Sequence, residues 1–163
     1  MVDSGLRRQE VCNLKRGDID LRSGAVVVRQ GKGRKDRLAF IGANTRRALL
    51  ALIRSQANQA DDAPLFQTQS GGKFTPAGLR SLFVRLSRKA GFKVTPHMLR
   101  RTFATLSLQN GMDIVSLQTL MGHENLETTR RYIQWLDGDL LEAHRKASPI
   151  DNLKGGSKKL RSR

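Results

Sequence analysis

TPAGLRSLFVRLSRKAG (residues 75–91), TPHMLRRTFATLSLQNG (95–111) and MDIVSLQTLMG (112–122) decide the fold of this chain. Each opens on a helix start signal, Thr-Pro twice and Asp once, and each closes at a glycine that can take the left-handed cap. Upstream, NTRRALLALIRSQA (44–57) has apolar residues at helical spacing behind an expected Asn44 cap. ADDAPLFQTQSGGKF (60–74) reads as a polar connection. The first segment, SGLRRQEVCNLKRGD (4–18), reads as the tail of a helix with Leu6, Val11 and Leu14 on one face and Gly17 as its stop. DIDL (18–21), a turn at Arg22-Ser23-Gly24, AVVVRQ (25–30), the basic loop GKGRKD (31–36) and RLAFIG (37–42) predict three short antiparallel strands. Beyond Gly122, a short helix carries Tyr132 and DLLEAHRKA (139–147) forms another. The expected class is α+β, mainly α, with a small three-stranded antiparallel sheet near the N-terminus.

The chain has 163 residues, with 30 Lys and Arg against 14 Asp and Glu, for a formal net charge of +16. Such a surplus suits a polyanionic partner, because cationic side chains gain affinity by releasing counterions from a phosphate backbone. The last segment, DNLKGGSKKLRSR (151–163), reads as a flexible basic tail following a domain at 1–150. Its net +4 leaves +12 on the remainder, so the basic character belongs to the domain. A single cysteine, Cys12, excludes an internal disulfide framework, and no paired Cys and His stand at zinc-finger spacing. Cys12 is assigned to packing and His144 to the surface. The opening MVDSGLRRQE has no apolar signal region, and no apolar run reaches membrane-spanning length. The expected location is the cytoplasm.

Chemistry concentrates in the second half. In the helix after Thr95-Pro96, Leu99, Phe103 and Leu106 are expected on one face, with His97, Arg100 and Arg101 opposite. His97 and Arg100, three residues apart, would project side by side. A planar guanidinium can take two phosphate oxygens, and an imidazole can hold a third or move a proton. His123 follows Gly122 in a corner, and Tyr132, the only tyrosine, stands nine positions further on. Taken singly, each has an ordinary alternative: a charged surface helix, a histidine capping a helix end, and an aromatic at the edge of an apolar stripe. Their order in one basic chain favours chemistry.

In that order the chain resembles the tyrosine recombinases of the phage-integrase type. SGLRRQEV (4–11) is similar to the first arginine box, GKGRKDR (31–37) to the lysine hairpin, HMLRRTFAT (97–105) to the H-x-x-R box, and LMGHENLETTRRY (120–132) to the histidine-to-tyrosine box. The resemblance implies Arg7, Lys32, His97, Arg100, His123 and Tyr132 as catalytic residues, with Glu10 a supporting acid that orients Arg7. It also implies a mainly helical catalytic fold. Arg34, Lys35 and Arg101 are assigned to contacts with DNA.

Phosphoryl transfer rests on positioning and on charge stabilisation at the equatorial oxygens, which agrees with those roles. Arg7 and Arg100 would clamp nonbridging oxygens, His97 would act as base, His123 would donate to the phosphate and Lys32 would protonate the departing 5′ oxygen. The expected partner is double-stranded DNA, with self-association on DNA through LLEAHRKASPIDNL (140–153). Neither a metal nor another cofactor is expected, and no membrane or small-molecule substrate. Family members usually carry further helices and a DNA-clasping domain ahead of the first arginine box, where six residues stand here, so the chain reads as a shortened catalytic domain. The function expected is site-specific cleavage and rejoining of DNA in integration or excision of a mobile element. A type IB topoisomerase-like enzyme and a catalytically silent DNA-binding relic are the alternatives.

Overall fold

The computed structural model describes residues 1–29, 36–56, 59–123 and 129. The elements are α1 (Arg8–Asn13), a 3₁₀ turn (Arg16–Asp18), β1 (Ala25–Val28), β2 (Arg37–Phe40), α2 (Ala43–Ser55), α3 (Pro76–Ala90), α4 (Pro96–Gln109) and α5 (Ile114–Met121). The protein is thus mainly helical with a small antiparallel sheet. No helix among the described residues is long and apolar enough to cross a membrane.

The three long helical stretches begin where their caps predict. Thr75 Oγ1 accepts from the Gly78 N–H, Thr95 Oγ1 from Met98, and the Asp113 carboxylate from Val115 and Ser116. Gly91 and Gly122 take left-handed dihedrals that terminate α3 and α5. α2 departs from expectation: its cap is Gly42, whose N–H donates to Asp3 Oδ2 at 2.8 Å, and Asn44 lies inside the first turn.

The N-terminal helix is shorter than its apolar spacing suggests. It ends at Asn13, because Leu14 turns extended and its carbonyl accepts from the Leu65 N–H at 2.9 Å. Gly17, expected as the stop, instead lies in the 3₁₀ turn. Tertiary pairing with the 60–74 segment outweighs helix continuation there, and that segment contributes fully buried Leu65.

The sheet among the described residues has two strands, not three. β1 pairs β2 with Val26 opposite Ala39 and Val28 opposite Arg37, while Ile19 makes only an isolated bridge to Val26. A ladder cannot extend because Asp20 immediately caps the following turn, accepting from the Arg22 N–H at 2.8 Å and the Ser23 hydroxyl at 2.7 Å.

Alternation then sets what each strand buries. Val26, Val28 and Ala39 face the core with Leu6, Leu14, Ile41 and Leu65, whereas Leu38 and Phe40 are exposed. Arg37, two residues before Ala39, lies on the inward side. β2 lies against α5, and a second cluster of Phe103, Ala104, Leu117 and Met121 joins α4 to α5. Cys12 is buried with Leu79 and Phe83 between α1 and α3.

Candidate active site

Three guanidinium groups converge on the C-terminal end of α5. The last carbonyls of any helix lack intrahelical partners and carry the negative end of its dipole. Here Leu120 O accepts from Arg37 Nε at 3.0 Å, Met121 O from Arg100 Nη2 at 2.7 Å, and Gly122 O from Arg7 Nη2 at 2.6 Å. Three consecutive carbonyls therefore hold three arginines from three different elements.

Arg100 is the most enclosed of them, with only 6% exposure. Its Nη1 donates to Gly5 O and its Nη2 also reaches His123 Nε2 at 3.0 Å. Gly5 makes this possible because its φ is +62° and a Cβ there would stand 2.6 Å from the Phe103 ring. The α4 faces consequently differ from the wheel expectation. Arg100, Phe103 and Ala104 point inward, Leu106 is exposed, and His97 and Arg101 lie exposed on α4. Backbone carbonyls satisfy the buried charge, so the charged face and the core face overlap. His97 and Arg100 are neighbours in sequence, yet one faces solvent and the other the interior.

Glu10 ties Arg7 to Arg37. Its carboxylate accepts from Arg37 Nη1 and Nη2, both at 2.9 Å, in a bidentate pair with each side chain 9% exposed. It also accepts from Arg7 Nη1 at 3.0 Å and from the Arg7 backbone N–H at 2.6 Å. Burial alone would raise its carboxyl, but the Arg37 hydrogen bonds, the Arg7 N–H and both cationic charges outweigh it and hold it below the usual carboxylate range. Arg37 is the site residue that sequence reasoning passed over. Its signal was the strand period, which places it in register with inward Ala39 and Ile41.

His123 follows the Gly122 corner, and its carbonyl accepts from Gln118 Nε2 at 3.1 Å. Its Nδ1 lies 2.9 Å from Thr129 Oγ1. Burial first, then the charges of Arg100, Arg7 and Arg37, lower its pKa from 6.5 to about 4. The imidazole is therefore neutral at physiological pH.

This shift has a direction in stability. The unfolded chain takes up the His123 proton near pH 6.5 and the fold resists it until about pH 4, so the contribution is complete above 6.5 and declines as pH falls towards 4. Glu10, with its folded pKa depressed, contributes above its unfolded value and loses that contribution as pH falls through its folded value. Urea unfolding across pH 4–7 should show falling stability on acidification. His123→Asn should flatten the slope between 6.5 and 4, and an unchanged slope would refute this account.

The structure therefore brings Arg7, Glu10, Arg100 and His123 together, adds Arg37 and Thr129, and leaves His97 and Arg101 on the exposed side of α4. Lys32, Arg34, Lys35 and Tyr132 lie outside the described residues, as do His144, the helix expected at 139–147 and the tail.

A mainly helical domain in which an early and a late arginine meet at a Gly-His corner fits what the resemblance to the integrase class implies. The chain belongs to the phage integrase family, the tyrosine recombinases, whose model matches residues 1–138. It is 39% identical over 156 residues to tyrosine recombinase XerA of Thermococcus kodakarensis, covering 95% of this chain and 55% of that protein. To tyrosine recombinase XerC of Myxococcus xanthus it is 38% identical over 162 residues, covering 91% and 52%. Among solved structures, the crystal structure of XerA recombinase superposes with a TM-score of 0.78 at 36% identity, covering 91% of this chain and 55% of that one. XerH recombinase bound to its difH substrate in a pre-cleavage complex gives 0.70 at 30% identity, covering 92% and 44%. The chain spans about half the length of the curated relatives it matches.

Proposed function

We propose that residues 1–150 form the catalytic domain of a site-specific recombinase that cleaves and rejoins double-stranded DNA through a 3′-phosphotyrosyl intermediate, with 151–163 a basic tail. The observation that carries this reading is the convergence of Arg7, Arg100 and His123 on one corner, just ahead of the only tyrosine. Two guanidinium groups hung on adjacent carbonyls form a preorganised cationic cradle, suited to the charge that develops on a phosphoryl group in transfer. The solved complex of XerH with difH supports DNA as the partner.

In this mechanism the Tyr132 oxygen attacks the scissile phosphorus, and the bond to the 5′ oxygen breaks. His97, on the exposed first turn of α4, takes the tyrosine proton, and Lys32 gives one to the leaving oxygen. Arg7 and Arg100 hold nonbridging oxygens, and His123 donates to one of them. The products are a 3′-phosphotyrosyl ester and a free 5′-hydroxyl. A 5′-hydroxyl from a second strand reverses the step and completes exchange. Arg34, Lys35 and Arg101 add contacts to the DNA, and 140–153 docks a neighbouring protomer.

A nicked suicide duplex, whose cleavage releases a short fragment and so blocks religation, tests this reading. A protein–DNA adduct that survives denaturant is expected. Salt-sensitive binding without any adduct, across substrates built on recombination sites of the relatives, would instead mark the chain as a binding module.

A further inference from the structure

We propose that Thr129 is a positioning residue that selects which ring nitrogen of His123 carries its proton, switching the imidazole from acceptor to donor when a phosphate arrives. This inference rests on the cleavage reading above. A guanidinium only donates, so the 3.0 Å contact between Arg100 Nη2 and His123 Nε2 requires a lone pair on Nε2. The neutral ring then holds its one proton on Nδ1. That proton needs an acceptor, and Thr129 Oγ1 stands 2.9 Å away.

The resting tautomer is thus the wrong one for a ring that must donate to phosphate through Nε2. Donation requires Nδ1 to release its proton to water and Nε2 to take one from water, so the ring remains neutral and the proton count is unchanged. Nδ1 then becomes an acceptor and needs a donor in place of the acceptor it had. A hydroxyl is the side-chain group that can serve both states by rotating about its C–O bond. Thr129 is 0% exposed, so its own oxygen must make the exchange. An incoming phosphate oxygen provides the drive: it draws the Arg100 donor away from Nε2 and offers an acceptor there.

Nitrogen-15 spectra of histidine-labelled protein, with and without orthovanadate as a phosphate stand-in, read the tautomer directly. The free protein should carry the His123 proton on Nδ1, and the vanadate-bound protein on Nε2. Thr129→Val keeps the shape and removes the hydroxyl, and Thr129→Ser restores it. The valine form should lose the switch and cleave the suicide duplex about 10- to 100-fold more slowly, since each state leaves a buried ring nitrogen unpaired. The serine form should recover both. Equal spectra and cleavage rates for the valine and serine proteins, or an Nε2–H in the free protein, would overturn the proposal. Thermal melts of both variants separate loss of folding from loss of the switch. A wild-type chain that shows the tautomer change yet forms no adduct would uphold Thr129 and sink the cleavage reading.

Discussion

Tyr132→Phe is expected to bind DNA with the salt dependence of the unaltered chain and to form no covalent adduct. The substitution removes one oxygen, keeps the ring and leaves the net charge unchanged. Binding draws on the +16 charge, and its logarithm should fall with the logarithm of salt along the same slope. Cleavage, in contrast, loses the nucleophile proposed for it. The chain contains no second tyrosine to substitute for it. Removing a covalent nucleophile in other enzymes costs on the order of 10⁶-fold, which places the remaining reaction below detection. Denaturing gels of the suicide reaction measure this. Adduct formation by the phenylalanine protein would assign the nucleophile to another residue.

Arg37→Ala should unfold at a markedly lower temperature than the unaltered protein. The substitution leaves the Glu10 carboxylate, 9% exposed, with Arg7 as its remaining cation and deprives Leu120 O of its donor. Breaking a buried ion pair from one side costs about 3–5 kcal/mol. At roughly 2–4 °C per kcal/mol for a chain of this size, Tm should fall by about 10 °C. Arg37→Lys keeps the charge but loses the fork that meets both carboxylate oxygens, and should fall between the two. Calorimetry provides the test, and a drop of only 1 or 2 °C in the alanine form would mean the pair contributes little. Because Glu10 also holds Arg7, cleavage should weaken in the same order as stability.

Much of this arrangement was legible in the residues themselves. Thr75, Thr95 and Asp113 cap the helices their positions suggest, and Gly91 and Gly122 end theirs with left-handed dihedrals. These signals are local, and local chemistry suffices for them. What escaped depends on contacts far apart in sequence. Arg100 reads as a surface charge until Gly5 O and Met121 O, 95 and 21 residues away, turn it inward. RLAFIG reads as a strand, but which of its faces is buried is fixed by pairing with β1, which buries Ala39 and turns Arg37 inward. α1 stops early because Leu65 claims the Leu14 carbonyl. Thr129 carries no sequence signal at all, since a threonine between Thr128 and Arg130 gains meaning only from the ring beside it.

The cradle at the end of α5 also determines how the site can change. Its acceptors at 120, 121 and 122 are main-chain atoms, so exchanging the side chains of Leu120 or Met121 deletes none of them. Lengthening or shortening α5 by one residue is different, because each residue turns the helix by about 100°. All three arginines would lose their anchors together. Drift in the identities of α5 residues is therefore compatible with an intact site, and a one-residue change in their number is not.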